Sequence, residues 1–262
     1  MQHVKRWLFA SLAATFASLA PAQAEVFVHR DLTLPNGVWA LDLGLGIGHI
    51  DQPAPISDVT GLGLNLELKW GLSRALQLGL RTGVRFDTDG KITQADRYGR
   101  TFETETYGTD GETIANPEIS LRYTLIDSPV TDLALEGRIY VPIESGTKLG
   151  FMIAMPLAFH LSPVARFDTG VYVPILLYDS TVTVVSFPFH LWVQATDRLA
   201  LGALSGIAIH NPGGNTTVPL GVGLNFGATH ATDVRFWFLY PNFKGEGARD
   251  VFGGGIGLET RL

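Results

Sequence analysis

Cysteine is absent from the 262-residue chain. Disulfides therefore contribute nothing to its stability, which an exported protein must find elsewhere, for example by closing a barrel. Basic residues are scarce: Lys and Arg total 19 against 25 Asp and Glu, a formal charge of −6. That charge becomes more negative once Lys5 and Arg6 are discounted. No basic patch stands out, which argues against nucleic acid as a partner. Long apolar runs are missing beyond the N-terminus, because Gly, Pro or a charge interrupts each stretch, so no later segment reads as a membrane-spanning helix. Yet mean hydropathy is +0.19, high for a secreted soluble protein. Strands that alternate an apolar lipid face with a polar lumen face reconcile the two observations.

The N-terminus points to export. Lys5 and Arg6 precede an apolar run from Trp7 to Ala20, and Ala22-Gln23-Ala24 offers small residues at the two positions a signal peptidase reads. The run is short for a membrane anchor, which needs roughly 20 apolar residues. Residues 1–24 are thus expected to be a cleaved signal peptide, 25–36 a periplasmic N-terminal segment and 37–262 a transmembrane β-barrel.

Period-2 alternation recurs along the chain. Leu62, Leu64, Leu66, Leu68 and Trp70 share one face, while Gly63, Asn65, Glu67 and Lys69 share the other. A helix would mix these sets; a strand separates them. The same reading predicts twelve strands, near 37–50, 61–70, 75–86, 115–125, 132–143, 150–161, 165–175, 182–195, 198–210, 217–229, 232–242 and 251–262. Their lengths suit tilted membrane strands, and the even count suits a bacterial barrel. Every second connection is tight and polar, as in Gly71-Leu72-Ser73-Arg74 and Asp127-Ser128-Pro129. The others, including 51–60 and 87–114, are generally longer. Such asymmetry fits periplasmic turns and extracellular loops in the outer membrane of a Gram-negative bacterium. Trp39, Trp70, Tyr123, Phe167 and Tyr240 lie near strand ends, where interfacial aromatics belong. A secreted β-sandwich also alternates, but nothing in it requires loops to alternate short and long. The fold class expected is all-β, a single antiparallel up-and-down barrel of about twelve strands.

The face opposite the leucines should line the lumen. Its charged residues are Asp42, Glu67, Lys69, Arg81, Arg85, Arg122, Glu136, Arg138, Arg166, Asp168, Arg235, Glu259 and Arg261, with Tyr140, His160, His190, Trp192 and Trp237 among them. Bases outnumber acids in this set, so the wall is expected to be mixed in sign and mildly positive. Folding the hairpins places Arg122 near Glu136 and Glu67 near Arg81. Such pairs serve structure by filling the lumen, or function by lining a weakly anion-attracting channel.

Proline and glycine mark special places. Pro142, Pro174, Pro219 and Pro241 sit towards the outer ends of strands, while Pro156 and Pro188 fall deeper and suggest bulges. Prolines at the rim simply end pairing; a wall weakened by them would open sideways to lipid. Gly44, Gly46 and Gly48 line one face of the first strand, and Gly253, Gly255 and Gly257 the same face of the last. They leave space for a passage or for an inward-folded segment such as Glu25 to Asn36, whose Val26-Phe27-Val28 is apolar. The acids of 87–114 (Asp87, Asp89, Asp96, Glu103, Glu105, Asp110, Glu112) are scattered without a calcium-loop pattern, so a solvated loop is expected there.

Motifs of catalysis are missing as well. There is no Gly-x-Ser-x-Gly elbow, phosphate loop or zinc spacing. His49 with Asp51 and His210 with Asn211 lie near the outer rim, and no serine pairs with either. No enzyme and no cofactor is therefore expected; the partners are outer-membrane lipid and a small-molecule solute.

Short phrases in the middle of the chain carry a resemblance. Trp70-Gly-Leu-Ser-Arg-Ala-Leu-Gln-Leu-Gly-Leu80, Asn116-Pro-Glu-Ile-Ser-Leu-Arg-Tyr123 and Tyr140-Val-Pro-Ile143 resemble recurrent phrases of the outer-membrane barrels grouped as the meta-pathway of phenol degradation family. That resemblance implies a transporter passing small, often aromatic or hydrophobic, solutes.

Overall fold

The structure, a computed structural model, describes residues 26–50, 59–86, 91–95, 101–106, 114–143, 149–177, 181–211, 216–244 and 250–262. The expected signal peptide lies outside them. Fifteen strands follow in chain order: β1 (Trp39–Ile50), β2 (Val59–Gly71), β3 (Leu76–Phe86), β4 (Lys91–Ala95), β5 (Thr101–Thr106), β6 (Glu118–Ile126), β7 (Thr131–Tyr140), β8 (Gly150–Ser162), β9 (Ala165–Leu177), β10 (Thr181–Thr196), β11 (Leu199–Asn211), β12 (Thr216–Thr217), β13 (Leu220–Gly227), β14 (Thr232–Tyr240) and β15 (Val251–Arg261). Twelve of them pair with their neighbours in antiparallel fashion, and β1 closes on β15, so the ring has no free edge. The short β12 adds to β11, and β4 pairs only with β5. That last hairpin rises from the connection read in the sequence as a plain loop; its acidic side chains lie outside the described residues.

Each ring strand keeps its apolar set outside. Leu45, Leu64, Leu80, Ile119, Ile153, Leu191, Val222 and Phe236 are all exposed on the outer surface. The inner set is buried and mostly polar: Lys69, Glu136, Asp132, His190 and Asn225 are at most 2% exposed. This inversion of the usual inside-apolar rule is what a barrel with an apolar surrounding would show. Trp39 and Trp70 stack on that outer surface at 4.7 Å, beside the short turns. The start of β1 meets the C-terminal residue there too, with Trp39 and Leu262 exchanging backbone hydrogen bonds of 3.0 and 2.8 Å.

Pro156 and Pro188 do not make bulges. Register shifts in the ring fall instead at Thr124/Ile126, His160/Ser162 and Gln194/Thr196, all beside short turns. The deep prolines face glycine across the ladder: Pro156 opposes Gly170 and Pro188 opposes Gly206. Gly170 has φ +146°, and a Cβ there would lie 2.5 Å from the Met155 carbonyl oxygen. Backbones approach closely where proline donates nothing, and only glycine leaves room. Among the described residues the β9–β10 ladder passes from Ser186↔Tyr172 to His190↔Asp168 without a pair between, which puts Pro188 opposite Gly170 as well.

Candidate functional site

The lumen is the candidate site, and its residues fall into two charged groups. Arg122 holds Glu136 at 2.5 and 2.8 Å, Glu136 also meets Arg138 at 2.9 Å, and Arg138 meets Glu118 at 2.5 Å. Arg81 adds a contact to Glu118 at 3.5 Å. This chain of alternating charge runs over β3, β6 and β7. On β1, β2, β14 and β15, Lys69 meets Glu259 at 2.5 Å and Asp42 at 3.6 Å, and Arg235 meets Asp42 at 2.5 Å. Buried charges demand such partners, since breaking one leaves an uncompensated ion.

Arg122 thus meets the predicted Glu136, directly opposite it in register. Glu67 also lies opposite Arg81 in register. Arg166 and Asp168 pair along their own strand at 2.5 Å, and Arg261 approaches Glu259 at 3.4 Å and Asp233 at 3.7 Å. Tyr140 packs with Met152, Ala154 and Tyr172 on the inner wall. The Arg85 side chain lies outside the described residues. His49 and His210 sit near the long-loop ends, on Thr60 at 2.7 Å and Thr217 at 3.2 Å.

Expectation and structure differ on the sign of the wall. Glu118, Asp132 and Asp233 are also buried and inward, so among the described side chains of the wall bases do not outnumber acids. All three share the parity of inward residues already identified on their strands; they sit at strand ends, where alternation is hardest to extend.

Among the described residues the longest stretch outside the strands is 26–38, whose Val28, Leu32, Thr33 and Leu34 are buried inside the ring at its short-turn end. One 3₁₀ turn, Phe27–His29, opens the segment. Val28 packs with Trp192, Ala200, Leu204 and Leu239, and Leu32 packs with Ala134 and Ala158. A buried segment outside the ladder must still satisfy its backbone. Inward side chains do this at every second residue. The Val28 carbonyl accepts from His160 Nδ1 at 2.9 Å, the Arg30 carbonyl from Arg166, and the Leu32 carbonyl from Arg122 at 2.7 Å. The Leu34 N–H donates to Gln77 Oε1 at 2.9 Å. Arg30 itself forks onto Asp233 of β14, one of the two bonds measuring 2.8 Å. Four strands thus grip the backbone, while β10, β11 and β14 receive Val28 and β7 and β8 receive Leu32. The result is a plug held by polar clamps.

Part of the glycine stripe on β1 and β15, namely Gly44, Gly255 and Gly257, makes room for a side chain of the wall itself. Trp237, from β14, lies over it: a Cβ on Gly255 would come 2.3 Å from the indole, and one on Gly44 3.9 Å. Trp192 does the same over Gly202 and Gly223, where a Cβ would come within 2.6 and 2.7 Å. Two indoles therefore lean flat against glycine patches of the inner wall. Phe27 meets Trp192 edge-on at 4.8 Å, joining the plug to this aromatic lining.

No protein-family model matches the chain, and no curated protein matches it in sequence. Solved structures do share its fold. The NanC porin superposes with a TM-score of 0.60 at 9% identity, over 85% of this chain and 100% of that one. An outer membrane channel from Pseudomonas putida F1 gives 0.60 at 10% identity, over 94% and 100%. The KdgM porin gives 0.53 at 7%, over 83% and 98%. At these identities the likeness is one of fold.

Proposed function

We propose that this chain is an outer-membrane barrel that lets small solutes pass when residues 26–38 shift from the lumen. The observation that carries the proposal is the inverted ring. An apolar outer surface closes around a charged wall that is useful only to water and solutes, and one end is filled by a clamped segment rather than by the wall itself. The porin and channel folds that superpose on it support this reading. Residues 1–24 would direct export, and the short turns would face the periplasm, as in barrels of this kind.

The solute we infer is small and partly aromatic or hydrophobic. The indoles of Trp192 and Trp237, together with Tyr140, Met152 and Tyr172, give the inner wall apolar faces among its ion pairs. The resemblance to the meta-pathway of phenol degradation family supports the same class. Glu67, Lys69, Arg81, Arg85, Arg122, Glu136, Arg138, Arg166, Asp168, Arg235, Glu259 and Arg261 would be the charged lining of the path, with no catalytic step among them.

Planar-bilayer recording tests the proposal. The native protein should give small or rare steps, and a variant lacking residues 27–33 should give larger and more frequent ones. Adding Glu136→Gln should shift their ion selectivity towards anions. A deletion variant that is folded yet silent would overturn passage. It would favour a second reading, a structural barrel whose lumen is blocked, for which the filled short-turn end is the supporting observation.

A further inference from the structure

We propose that His160 and Asp132 form a proton-dependent latch on the plug, closed at acid pH and loosened towards alkaline pH. This rests on residues 26–38 acting as a plug, and not on any solute passing. The His160 ring lies between two oxygens. Its Nδ1 is 2.9 Å from the Val28 carbonyl, and its Nε2 is 2.9 Å from Asp132 Oδ2. A carbonyl carries no hydrogen, and an ionised carboxylate only accepts. Both contacts therefore need a hydrogen, whereas a neutral imidazole has one N–H. The arrangement is complete only when the His160–Asp132 pair holds one further proton, whichever of its atoms carries it. Once that proton leaves, a nitrogen lone pair faces either the carboxylate or the plug carbonyl. The contact turns from attraction to repulsion.

The other clamps do not share this property. Arg122 and Arg166 keep their charge at any working pH, and Gln77 never carries one. His160 is therefore the clamp that responds to protons. Polar and charged groups surround it from each packed element. Asp132 lies on β7, with the Ser128 N–H on its other oxygen at 3.4 Å. Arg166 on β9 is opposite His160 in register, but turns to Asp168 and the Arg30 carbonyl. On the plug, the His29 ring stacks at 6.4 Å. Asp31 and Asp127 line an adjoining cleft of about 500 Å³ with His29 and His160. That cleft is open, so water and protons reach the pair from the short-turn side.

The sign follows from the count of hydrogens. With that proton present the plug is held by all its clamps; once it leaves, one of the two His160 contacts turns repulsive and the ring no longer bridges Asp132 to the Val28 carbonyl. Histidines generally change charge between about pH 5 and 8, which sets the window to scan. Losing a hydrogen bond to a charged group should speed plug exposure by about tenfold or more.

The chain has no cysteine, so Val28→Cys supplies a unique thiol on the plug. The protein, purified from membranes of an expressing bacterium, is modified with a water-soluble maleimide from about pH 5 to 8. The rate is divided by that of Val164→Cys, on an exposed turn, to remove the thiol's own ionisation. We expect the ratio to rise about tenfold with pH. Adding His160→Gln should leave it high and flat. Should that variant not fold, Asp132→Asn should likewise flatten it. His29→Asn should keep the rise. A flat ratio in the protein with His160 intact, or a rise that persists in folded His160→Gln or Asp132→Asn, would overturn the latch. None of these results depends on conductance, so the latch and the channel can fail separately.

Discussion

Arg122 joins the plug to the wall: its Nη1 donates to the Leu32 carbonyl at 2.7 Å while Nε and Nη2 hold Glu136 at 2.8 and 2.5 Å. One guanidinium thus satisfies a buried backbone acceptor and a carboxylate that is 1% exposed. Replacing it with Ala strands the Leu32 carbonyl and takes this partner from Glu136 Oε2, leaving that carboxylate Arg138 on Oε1. Breaking a buried pair from one side costs about 3–5 kcal/mol, so Arg122→Ala should lower the thermal or urea midpoint strongly. Adding Glu136→Leu removes the half-paired carboxylate but leaves Arg138 with Glu118 alone, so it should recover only part of that loss. Arg122→Lys keeps the charge but not the fork, and should fall between. Circular dichroism melts in detergent would check the order of the four proteins.

The two tryptophans over glycine make a sharper contrast. A Cβ at Gly202 would find Trp192 ring atoms as its three nearest neighbours, at 2.6–2.9 Å, whereas one at Gly255 would meet both the Trp237 ring and the Leu45 carbonyl, at 2.6 Å. Overpacking of this kind costs about 1–3 kcal/mol. Gly202→Ala should therefore destabilise the barrel, and Trp192→Leu in the same chain should relieve the clash. Gly255→Ala should destabilise too, but Trp237→Leu should not restore it, because the backbone contact stays. Equal rescue in both pairs, measured by unfolding midpoints, would show that the indoles do not lie as described.

Much of this fold was legible from period-2 alternation alone. Lys69 and Leu68 go to opposite faces because adjacent strand residues must, and one lumen face was readable from Glu67 and Lys69 without knowing the partner strand. What was not legible is non-local. The plug alternates only over a short stretch, at Val28, Leu32 and Leu34; Val26-Phe27-Val28 hinted at burial, but the clamps on it come from β3, β6, β8 and β9. The glycine stripe signalled space, yet the occupant, Trp237, belongs to another strand. Pro156 and Pro188 suggested bulges by a local rule, whereas the sheet accommodates them with glycine across the ladder at Gly170 and Gly206. The β4–β5 hairpin escaped notice because Lys91–Ala95 and Thr101–Thr106 lack an apolar face to alternate.

The outward and inward indoles should report on their surroundings separately. Trp39 and Trp70 stack on the outer surface, whereas Trp192 is 4% exposed and Trp237 packs against the inner cluster. In bilayers carrying brominated lipid, a Trp192→Phe/Trp237→Phe protein should lose much of its fluorescence. A Trp39→Phe/Trp70→Phe protein should lose little. Quenching of the second protein as strong as that of the first would mean that lipid reaches the inner wall, or that the faces are assigned the wrong way round.

The row Pro156–Gly170–Pro188–Gly206 offers the most local test of the wall. Gly170 sits at φ +146°, a conformation L side chains rarely adopt, and a Cβ there would also come 2.5 Å from the Met155 oxygen and 3.0 Å from the Pro156 Cα. Gly170→Ala should cost about 1–3 kcal/mol for the conformation alone, and more with the contact. Gly137, on the outer face of β7, offers open space: a Cβ there would meet nothing within 4 Å. Gly137→Ala should therefore be neutral or slightly stabilising, because alanine restricts the unfolded chain more than glycine does. Pro188→Val would restore a donor to β10 opposite Gly170, but a donor helps only if the strands can close to bonding distance. If Pro188→Val raises the unfolding midpoint, proline alone holds the β9–β10 ladder open at this row; if it does not, the glycine conformation holds it open, and Gly170 is the residue that shapes the wall.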